Sequence, residues 1–486
     1  AALMAETGSA GVWSPTLLPL PAGGSLGFPF TYGPEVGVSC MAPASCLAVG
    51  ADQTGAGEGA VAETSSDGVW SASALPAPTG GTSPAPQAVS CAGPQNCLAV
   101  GADAAGAGAE QALAETWAGG SWSASTLPVP AALPDAVLTA LACPSSATCV
   151  AVGDDDGAGG AQMPVAETEQ GDAWTSTVLP LPAGSVASGD ADPELAGLSC
   201  PTSTACVAVG YAPGAALTEH PMVETRSGTT WRARRLPLPR GEHRQSAALA
   251  AISCVSATSC VAVGSLRSEA HGLVETLADG TWTATALAPP AGSPRRALSG
   301  VSCSTATSCV AVGAYWGTDP GLSRPLAATL AGTSWKVAAL PVPGSARRNV
   351  AFTVPSLRAV SCPTAGTCVA AGFLPTGFDT TVPMVETLSA GRWRASIPPA
   401  PPAANWTLLW GVSCPGAGSC AAVGEADGAP LVEVLANGAW TPQSVALPPR
   451  ATTGALLAVA CGPLPPCSAA GAVAGVSGVL PLVASD

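Results

Sequence analysis

The sequence predicts an all-β protein built from nine copies of one four-stranded unit, and three observations lead to this prediction. First, eighteen cysteines form nine Cys-x5-Cys pairs that recur every 47 to 59 residues, with no cysteine left over. Second, a tryptophan follows a short apolar segment and a turn in each repeat. Third, the apolar runs are short and end at Gly or Pro, and no long segment has a helical period. A unit of about fifty residues with four short strands is typical of a β-propeller blade.

The four strands can be followed in one repeat. The first strand ends at Cys254, the second runs from Cys260 to Gly264, the third is the Leu-Val-Glu-Thr segment that begins at Leu273, and the fourth starts at Trp282. The fourth strand usually ends in Leu-Pro-x-Pro, and proline, which lacks an N–H, suits the end of an outer edge strand. The repeat tryptophans are Trp13, Trp70, Trp122, Trp174, Trp231, Trp282, Trp335, Trp393 and Trp440.

The cysteine pairs predict one disulfide in each blade, across the base of the first hairpin, where side chains on neighbouring strands are close enough to bridge. Because each disulfide closes only a short loop, we expect each one to stabilise the folded protein by about 2–3 kcal/mol. Paired cysteines beside only three histidines favour disulfides over zinc and indicate an oxidising compartment. The pairs are Cys40/Cys46, Cys91/Cys97, Cys143/Cys149, Cys200/Cys206, Cys254/Cys260, Cys303/Cys309, Cys362/Cys368, Cys414/Cys420 and Cys461/Cys467.

The two ends of the chain hold complementary half-repeats. Residues 1–20 contain a third and a fourth strand, and the segment around Cys461 and Cys467 contains a first and a second. We therefore expect residues 1–486 to form a single nine-bladed propeller of repeats of about 52 residues, whose last blade is completed by residues 1–20. The tail Leu480–Ala484 also resembles a third strand, so either one segment is displaced as an extra edge strand or the array is an open arc.

The pattern apolar–Cys-x5-Cys-Val-Ala-Val-Gly, followed by Val-Glu-Thr-x3-Gly-x-Trp, resembles the BNR/Asp-box-like repeats of the photosystem II stability-factor type. Similar repeats occur in sialidases and sortilin-type propellers. The resemblance implies the propeller fold, but the chain departs from these repeats at the Asp box, and function therefore does not carry over. The Asp-box position is occupied by Gly8, Ser65, Trp117, Glu169, Arg226, Leu277, Leu330, Leu388 and Leu435.

A glutamate lies seven residues before the repeat tryptophan in eight of the nine repeats, and Ala328 takes the remaining place. These carboxylates could line a channel and hold cations, or each could accept backbone N–H bonds within its own blade or from a neighbour. A position that recurs in almost every repeat favours the structural role. The residues are Glu6, Glu63, Glu115, Glu167, Glu224, Glu275, Glu386 and Glu433.

Aspartate and glycine cluster after the second strand in the first three complete repeats, and Asp154, Asp155 and Asp156 form the densest group. Clustered carboxylates can bind calcium through oxygen atoms. The spacing matches no complete EF-hand loop, and solvated turns explain it equally well. Calcium is the one cofactor that the sequence suggests.

Charge is distributed unevenly along the chain. Residues 1–225 contain 21 acidic and no basic residues, whereas residues 226–486 contain 11 acidic and 17 basic residues, giving −21 and +6 for the stated total of −15. Opposite potentials could steer docking to a partner or a second copy, and compositional drift in solvated loops is the alternative. The candidate contact residues are Arg232, Arg234, Arg235, Arg240 and Arg244.

Enzyme motifs are scarce. A sialidase-type site needs an arginine cluster and a tyrosine nucleophile, and the chain has three tyrosines and no arginine in its first 225 residues. The sequence favours a secreted or cell-surface, non-enzymatic binding or structural scaffold, with a protein partner or self-association, no nucleic-acid partner and no membrane span. The alternatives are a carbohydrate-binding or glycan-cleaving sialidase-like propeller and an assembly factor for an extracytoplasmic complex. Asn405 begins a glycosylation sequon.

Overall fold

The computed structural model consists of β-strands and turns in the part of the chain that it describes. The described residues are 3–8, 13–18, 36–42, 45–54, 57–66, 69–93, 96–105, 109–118, 120–128, 135–156, 162–171, 173–185, 192–214, 218–242, 246–266, 271–287, 295–316, 323–343, 356–377, 380–399, 401, 404–444, 451–461, 467–475 and 478–485. Within them, no helix is long and apolar enough to cross a membrane.

Eight antiparallel sheets have four strands each, in the order of the chain, and we call each of them a blade. The first four blades are β3(Val36–Ala42), β4(Ser45–Thr54), β5(Gly57–Ser66), β6(Val69–Leu75); β7(Gly81–Gly93), β8(Asn96–Ala105), β9(Ala109–Ala118), β10(Ser121–Thr126); β11(Asp135–Ser145), β12(Thr148–Asp156), β13(Gln162–Gln170), β14(Ala173–Val178); and β15(Glu194–Thr202), β16(Ala205–Pro213), β17(Glu219–Ser227), β18(Thr230–Arg235).

The next four blades are β19(Ala247–Ser256), β20(Ser259–Leu266), β21(Gly272–Ala278), β22(Thr281–Ala286); β23(Arg295–Thr305), β24(Ser308–Trp316), β25(Ser323–Ala331), β26(Ser334–Ala339); β27(Ser356–Thr364), β28(Thr367–Gly377), β29(Thr380–Ser389), β30(Arg392–Ser396); and β31(Thr407–Gly416), β32(Ser419–Ala426), β33(Ala429–Ala436), β34(Ala439–Ser444). The predicted first, second, third and fourth strands are thus the strands of each blade, which confirms the all-β, four-stranded repeat.

Local sequence explains the hairpins. Asp279 and Gly280 separate the third and fourth strands of one blade, and both have positive φ, 48° and 76°. Two residues with positive φ form the type I′ turn whose twist suits a two-residue hairpin, and Asp-Gly is one of its preferred pairs. Asn437 and Gly438 repeat the arrangement with φ of 52° and 79°.

The glycine that ends the Val-Ala-Val-Gly segment has a steric role. At Gly264 an added Cβ would overlap the carbonyl oxygen of Ala248 on the neighbouring first strand. The first strand has a β-bulge directly after Leu249, and its backbone lies close against the second strand there. The same overlap recurs at Gly101, Gly153, Gly210, Gly313 and Gly372. Only glycine allows this close approach, which explains its recurrence.

The core lies between successive blades. Ala262, Leu273 and Leu277 on one face of the β19–β22 blade pack against Val207 and Val223 of the β15–β18 blade. Trp282 is buried in the same layer at 6% exposure. Side chains alternate between the two faces of a strand, and both faces of an inner blade are covered. The repeat tryptophan therefore packs between blades, as the sequence suggests.

The disulfide prediction is confirmed for the described cysteine side chains. Seven bridges join cysteines six positions apart, with Cα atoms 4.0–4.1 Å apart. Cys414 and Cys420 are also disulfide-bonded. Cys40 and Cys46 face each other across their hairpin, and their side chains lie outside the described part of the structure. The seven bridges are Cys91–Cys97, Cys143–Cys149, Cys200–Cys206, Cys254–Cys260, Cys303–Cys309, Cys362–Cys368 and Cys461–Cys467.

The bridges are also part of the apolar core. The second cysteine of each described pair has an exposure of 5% or less. Cys260 packs in the same layer as Leu249 and Trp282, because the second strand is an inner strand covered on both faces. These sulfurs therefore add apolar packing to the covalent link. The buried second cysteines are Cys97, Cys149, Cys206, Cys260, Cys309, Cys368, Cys420 and Cys467.

The ends of the chain differ in detail from the sequence expectation. The last sheet has three strands, β35(Ala451–Cys461), β36(Cys467–Gly475) and β37(Gly478–Ser485), and β37 takes the third position. The N-terminal strands β1(Leu3–Gly8) and β2(Trp13–Leu18) form a separate two-stranded sheet, and β1 contacts β37. A two-residue connection brings β37 beside β36 at a far smaller loop-closure cost than a strand from the other end of the chain.

The chain divides into two compact units. Unit 1 comprises Ala1–Ala158, Val165–Val178 and Gly418–Asp486, and unit 2 comprises Gly159–Pro164 and Leu179–Ala417. Within unit 1, β35 contacts β3, β3 contacts β7, and β7 contacts β11. Within unit 2, the first strands β15, β19, β23, β27 and β31 contact one another in that order. First strands therefore form the inner side of each unit, which is the arrangement of propeller blades.

Candidate functional site

A row of side chains follows the inner side of unit 2, at the position four residues before the first cysteine of each repeat. It consists of Ala196, Ala250, Ser299, Arg358 and Trp410, and we call it the inner row. In β15, β19, β23 and β27 the pairing register with the second strand shifts at this position. Ala196, Ala250, Ser299 and Arg358 are therefore each the extra residue of a β-bulge. A bulge bends the strand and re-aims a side chain.

Three aromatic and basic side chains meet at one end of the inner row. The guanidinium carbon of Arg358 lies 5.3 Å from the ring centroid of Trp410 and 5.7 Å from that of Phe373. The two rings are 6.5 Å apart and meet edge to face. Phe373 is buried, Trp410 is half-buried and Arg358 is exposed. Cation–π contacts thus fix an exposed positive charge over an apolar base.

Hydrogen bonds tie the neighbouring bulge to this cluster. The Ser299 hydroxyl lies 2.6 Å from the carbonyl oxygen of Leu357, the residue before Arg358. It lies 3.3 Å from the carbonyl oxygen of Val312 in its own blade. The Trp410 indole N–H is shielded from solvent and has no acceptor among the described residues. These contacts connect Ser299, Arg358 and Trp410 across the first strands β23, β27 and β31 of unit 2.

The arginines predicted from sequence lie on the outer side of a blade. Arg232, Arg234 and Arg235 are exposed on β18, the edge strand of its sheet, and Arg240 is exposed after it. Arg244 lies outside the described residues. Two other fourth strands of unit 2 carry exposed basic residues, Lys336 on β26 and Arg392 and Arg394 on β30. We call these six residues on β18, β26 and β30 the outer basic strands. No fourth strand of the eight described blades contains an acidic residue.

Six of the repeated glutamates are fully buried: Glu115, Glu167, Glu224, Glu275, Glu386 and Glu433, each with an exposure of 0%. Neither carboxyl oxygen of any of them has a hydrogen-bond partner among the described residues. They neither line a solvent channel nor accept backbone N–H bonds from that part of the chain, and both sequence interpretations are wrong for these six. The side chains of Glu6 and Glu63 lie outside the described part of the structure.

The register explains the burial. Glu275 stands opposite Ala262 on the second strand and Ala284 on the fourth, on the face that packs against Val207 and Val223 of the preceding blade. The two alanines leave space for the carboxyl group within an apolar layer. Burial raises the pKa of Glu275 to about 8, and it has the same effect on Glu224, Glu386 and Glu433.

Two glutamates in unit 1 have a second carboxyl nearby. Burial raises the pKa of Glu115 to about 8, and the charge of Asp103 raises it further in the same direction. Burial raises the pKa of Glu167 to about 7, where the Ser176 hydroxyl opposes the shift and Asp155 adds to it. Ser176 is close enough to Glu167 to act on its pKa, although the two make no hydrogen bond of full geometry.

The calcium candidates are strand residues instead of loop residues. Asp154 and Asp155 lie on β12, opposite Val137 and Ala136 of β11. Asp155 is buried and accepts a hydrogen bond of 3.1 Å from the backbone N–H of Asp135. Consecutive strand residues point to opposite faces, so Asp154 and Asp155 do not converge on one ion. No group of three possible metal ligands occurs within the described residues.

A repeated hydrogen bond joins neighbouring blades, and the sequence predictions do not include it. The backbone N–H of the first cysteine donates to the hydroxyl of the serine that precedes the first cysteine of the previous blade, at 3.1–3.2 Å. The signal was the Ser-Cys dipeptide, present in seven of nine repeats, with Ala142 and Ala460 as the exceptions. The acceptors are Ser39, Ser90, Ser199, Ser253, Ser302 and Ser361.

The remaining candidates are placed as follows. Asn405 of the sequon is exposed just before β31. Tyr315 is buried at 7% exposure, and burial raises its pKa whereas the charge of Arg324 lowers it. Arg226, at the Asp-box position, is buried at 1% exposure and donates a 3.0 Å hydrogen bond to the Ser203 carbonyl oxygen.

No protein-family model and no curated protein matches the chain. Solved structures do match, at low identity. The BP39L lectin from Burkholderia pseudomallei is 17% identical over 74% of this chain and 98% of its own, with a TM-score of 0.41. Sqt1 from Chaetomium thermophilum is 12% identical over 80% and 92%, with a TM-score of 0.42. YCF48 bound to D1 peptide is 12% identical over 71% and 92%, with a TM-score of 0.38.

Proposed function

We propose that the chain is a non-enzymatic scaffold that works outside the cytoplasm and associates with a second copy of itself through the outer basic strands. The observation that carries the proposal is the placement of Arg232, Arg234 and Arg235 at an exposed sheet edge. Lys336, Arg392 and Arg394 extend the positive charge over two further fourth strands of the same unit.

Charge complementarity favours a second copy as the occupant. Residues 1–225 carry 21 acidic residues and no basic one. Glu115, Glu167 and Glu224 are buried, whereas Glu110 and Glu194 are exposed and belong to the negative surface that another molecule's basic strands would contact. Such potentials steer encounter and set orientation more than they add raw affinity. An association through unlike surfaces is heterologous, and it builds chains or rings of molecules.

The edge geometry of β18 is compatible with docking. A fourth strand has one unpaired edge, and charged residues on such an edge prevent uncontrolled strand pairing. The guanidinium groups of these arginines can still form bidentate hydrogen bonds with carboxylates of another molecule. Contact through side chains therefore suits this surface better than addition of a strand.

The architecture that we propose for the scaffold is one closed nine-bladed ring. It is supported by eight four-stranded sheets, by the three-stranded sheet at the C-terminus, and by the contact between β35 and β3 within unit 1. The disulfides support a location outside the reducing cytoplasm. Burial of Tyr315 disfavours a sialidase-like role for that residue, and a role as an assembly factor remains the alternative if a different envelope protein binds the basic strands.

Sedimentation velocity at low and high salt tests the proposed association. We expect the wild type to self-associate at about 0.05 M salt and to dissociate near 1 M, where the Debye length falls to about 3 Å. The variant Arg232→Gln/Arg234→Gln/Arg235→Gln should be monomeric at both. Arg324→Gln, which removes an exposed arginine from a third strand of the same unit, is the control and should behave as the wild type. A native chain that is monomeric at every salt concentration sinks the proposal.

A further inference from the structure

We propose that Ser299, Arg358 and Trp410 form a binding site for an acidic sugar, with Arg358 receiving the sugar carboxylate. The site lies on the inner row, away from the outer basic strands, and its ligand is a hexuronate residue of an extracellular polysaccharide. It is a second binding activity, independent of self-association.

The position of Arg358 is exceptional for this chain. At the other described bulge positions the side chains are uncharged: Gln87, Thr139, Ala196, Ala250, Ser299 and Leu457. Arg358 places a full charge on a strand whose other side chains are uncharged, and it has no ion-pair partner among the described residues. An exposed cation without a counter-charge has the charge to receive an anion.

The aromatic contacts prepare the guanidinium for binding. Phe373 and Trp410 lie 5.7 and 5.3 Å from its central carbon and restrict its rotamers before any ligand arrives. Less conformational entropy is then lost on binding. The N–H donors of a guanidinium lie in its own plane and match a carboxylate in a bidentate pair. Arg358 is therefore a preorganised carboxylate receptor.

The surroundings favour a sugar over a peptide strand. A peptide that adds to a sheet needs free backbone N–H groups, and along the first strands the N–H of Cys362 already donates to Ser302 and that of Cys414 to Ser361. Side chains remain for recognition. The Ser299 hydroxyl donates to Leu357 and can still accept a hydrogen bond from a sugar hydroxyl.

Calorimetric titration with galacturonate and digalacturonate, beside neutral galactose and an acidic tripeptide, tests the site on the full-length protein. We expect the two uronates to bind and galactose not to bind. Arg358→Gln should weaken uronate binding at least about tenfold, because hydrogen bonds to a charged partner are lost. Arg358→Lys should also weaken it, since a point charge replaces the planar fork.

The matched control is Arg324→Gln, which removes an exposed arginine from the third strand of the neighbouring blade and lies outside the outer basic strands. It should leave uronate affinity within about twofold, the scale of a surface change far from the ligand. Thermal melts of every variant verify that it is folded. Three results overturn the proposal: no uronate binding by the wild type, an equal loss in Arg358→Gln and Arg324→Gln, or tighter binding of the tripeptide than of the uronates. If Arg358→Gln lowers the melting temperature and leaves uronate affinity unchanged, the cluster is structural and the proposal fails as well.

Discussion

Six third strands enclose a glutamate carboxyl in the apolar layer between blades, and neither oxygen has a hydrogen-bond partner among the described residues. A buried polar group without a partner costs about 1–3 kcal/mol in proteins. Ala328 shows that a blade packs without this carboxyl, because it occupies the same position at 0% exposure. Each repeated glutamate therefore lowers the free energy of unfolding, and its titration makes that free energy depend on pH.

The pH dependence has a definite sign. Burial raises the pKa of Glu275 to about 8 from an ordinary value of 4.5. The folded protein holds this proton up to about pH 8, whereas the unfolded chain releases it near pH 4.5. The contribution of this group to stability is therefore greatest below pH 4.5 and falls as the pH rises toward 8.

We expect Glu275→Gln to reduce this pH dependence. The amide does not titrate, so the fall in unfolding free energy between about pH 5 and pH 8 should be smaller than in the wild type. Denaturant unfolding at both pH values measures the difference. Glu194→Gln, at an exposed position on β15, is the control and should keep the wild-type slope. A wild type whose stability is constant over this pH range would contradict the assignment.

At the scale of the element, each first strand is joined both to the second strand of its own blade and to the first strand of the blade before it. A disulfide closes each hairpin within a blade, and a hydrogen bond from a cysteine N–H to a serine hydroxyl joins each blade to the one before it, as Cys254–Cys260 and the Cys303–Ser253 contact show. The serine and the cysteine are adjacent in sequence, so one dipeptide contributes to both joints. The inner side of each unit is thereby stabilised through groups that do not depend on large side chains.

The variant Ser253→Ala removes the acceptor for the N–H of Cys303. We expect a loss of about 1 kcal/mol, the net contribution of one hydrogen bond, and faster amide exchange at Cys303. Hydrogen exchange and denaturant unfolding measure the two effects. Ser265→Ala, which changes a half-buried serine on the neighbouring strand β20, should leave the Cys303 amide unchanged. If the Cys303 amide exchanges at the same rate in both variants, the Ser253 hydroxyl does not stabilise this joint.

At the scale of the whole molecule, the ends of the chain meet within unit 1. The hairpin of β1 and β2 contacts β37 and β6, although it shares no sheet with them. The contact joins strands from opposite ends of the sequence. Removal of the N-terminal hairpin therefore measures how much this contact stabilises the protein.

Deletion of residues 1–20 should lower the melting temperature by several degrees, more than the loss of a frayed terminus, because β37 loses a neighbouring sheet. Differential scanning calorimetry measures this change. Deletion of residues 1–2 alone, which leaves both strands intact, is the control and should have no effect. An unchanged melting temperature on the longer deletion would show that the N-terminal hairpin contributes nothing to the terminal sheet.

The sequence by itself determined the repeat, the strand order within each blade, the hairpin turns and the described disulfides. These features depend on residues a few positions apart: Cys254 and Cys260 face each other because one short turn separates their strands, and Asp279-Gly280 encodes that type of turn locally. Tertiary structure decided the features that join different repeats. Glu275 is buried because another blade covers its face, Arg358 and Trp410 meet although they lie in different blades, and β37 takes the place beside β36. Sequence spacing carries no record of such contacts, because packing between blades sets them.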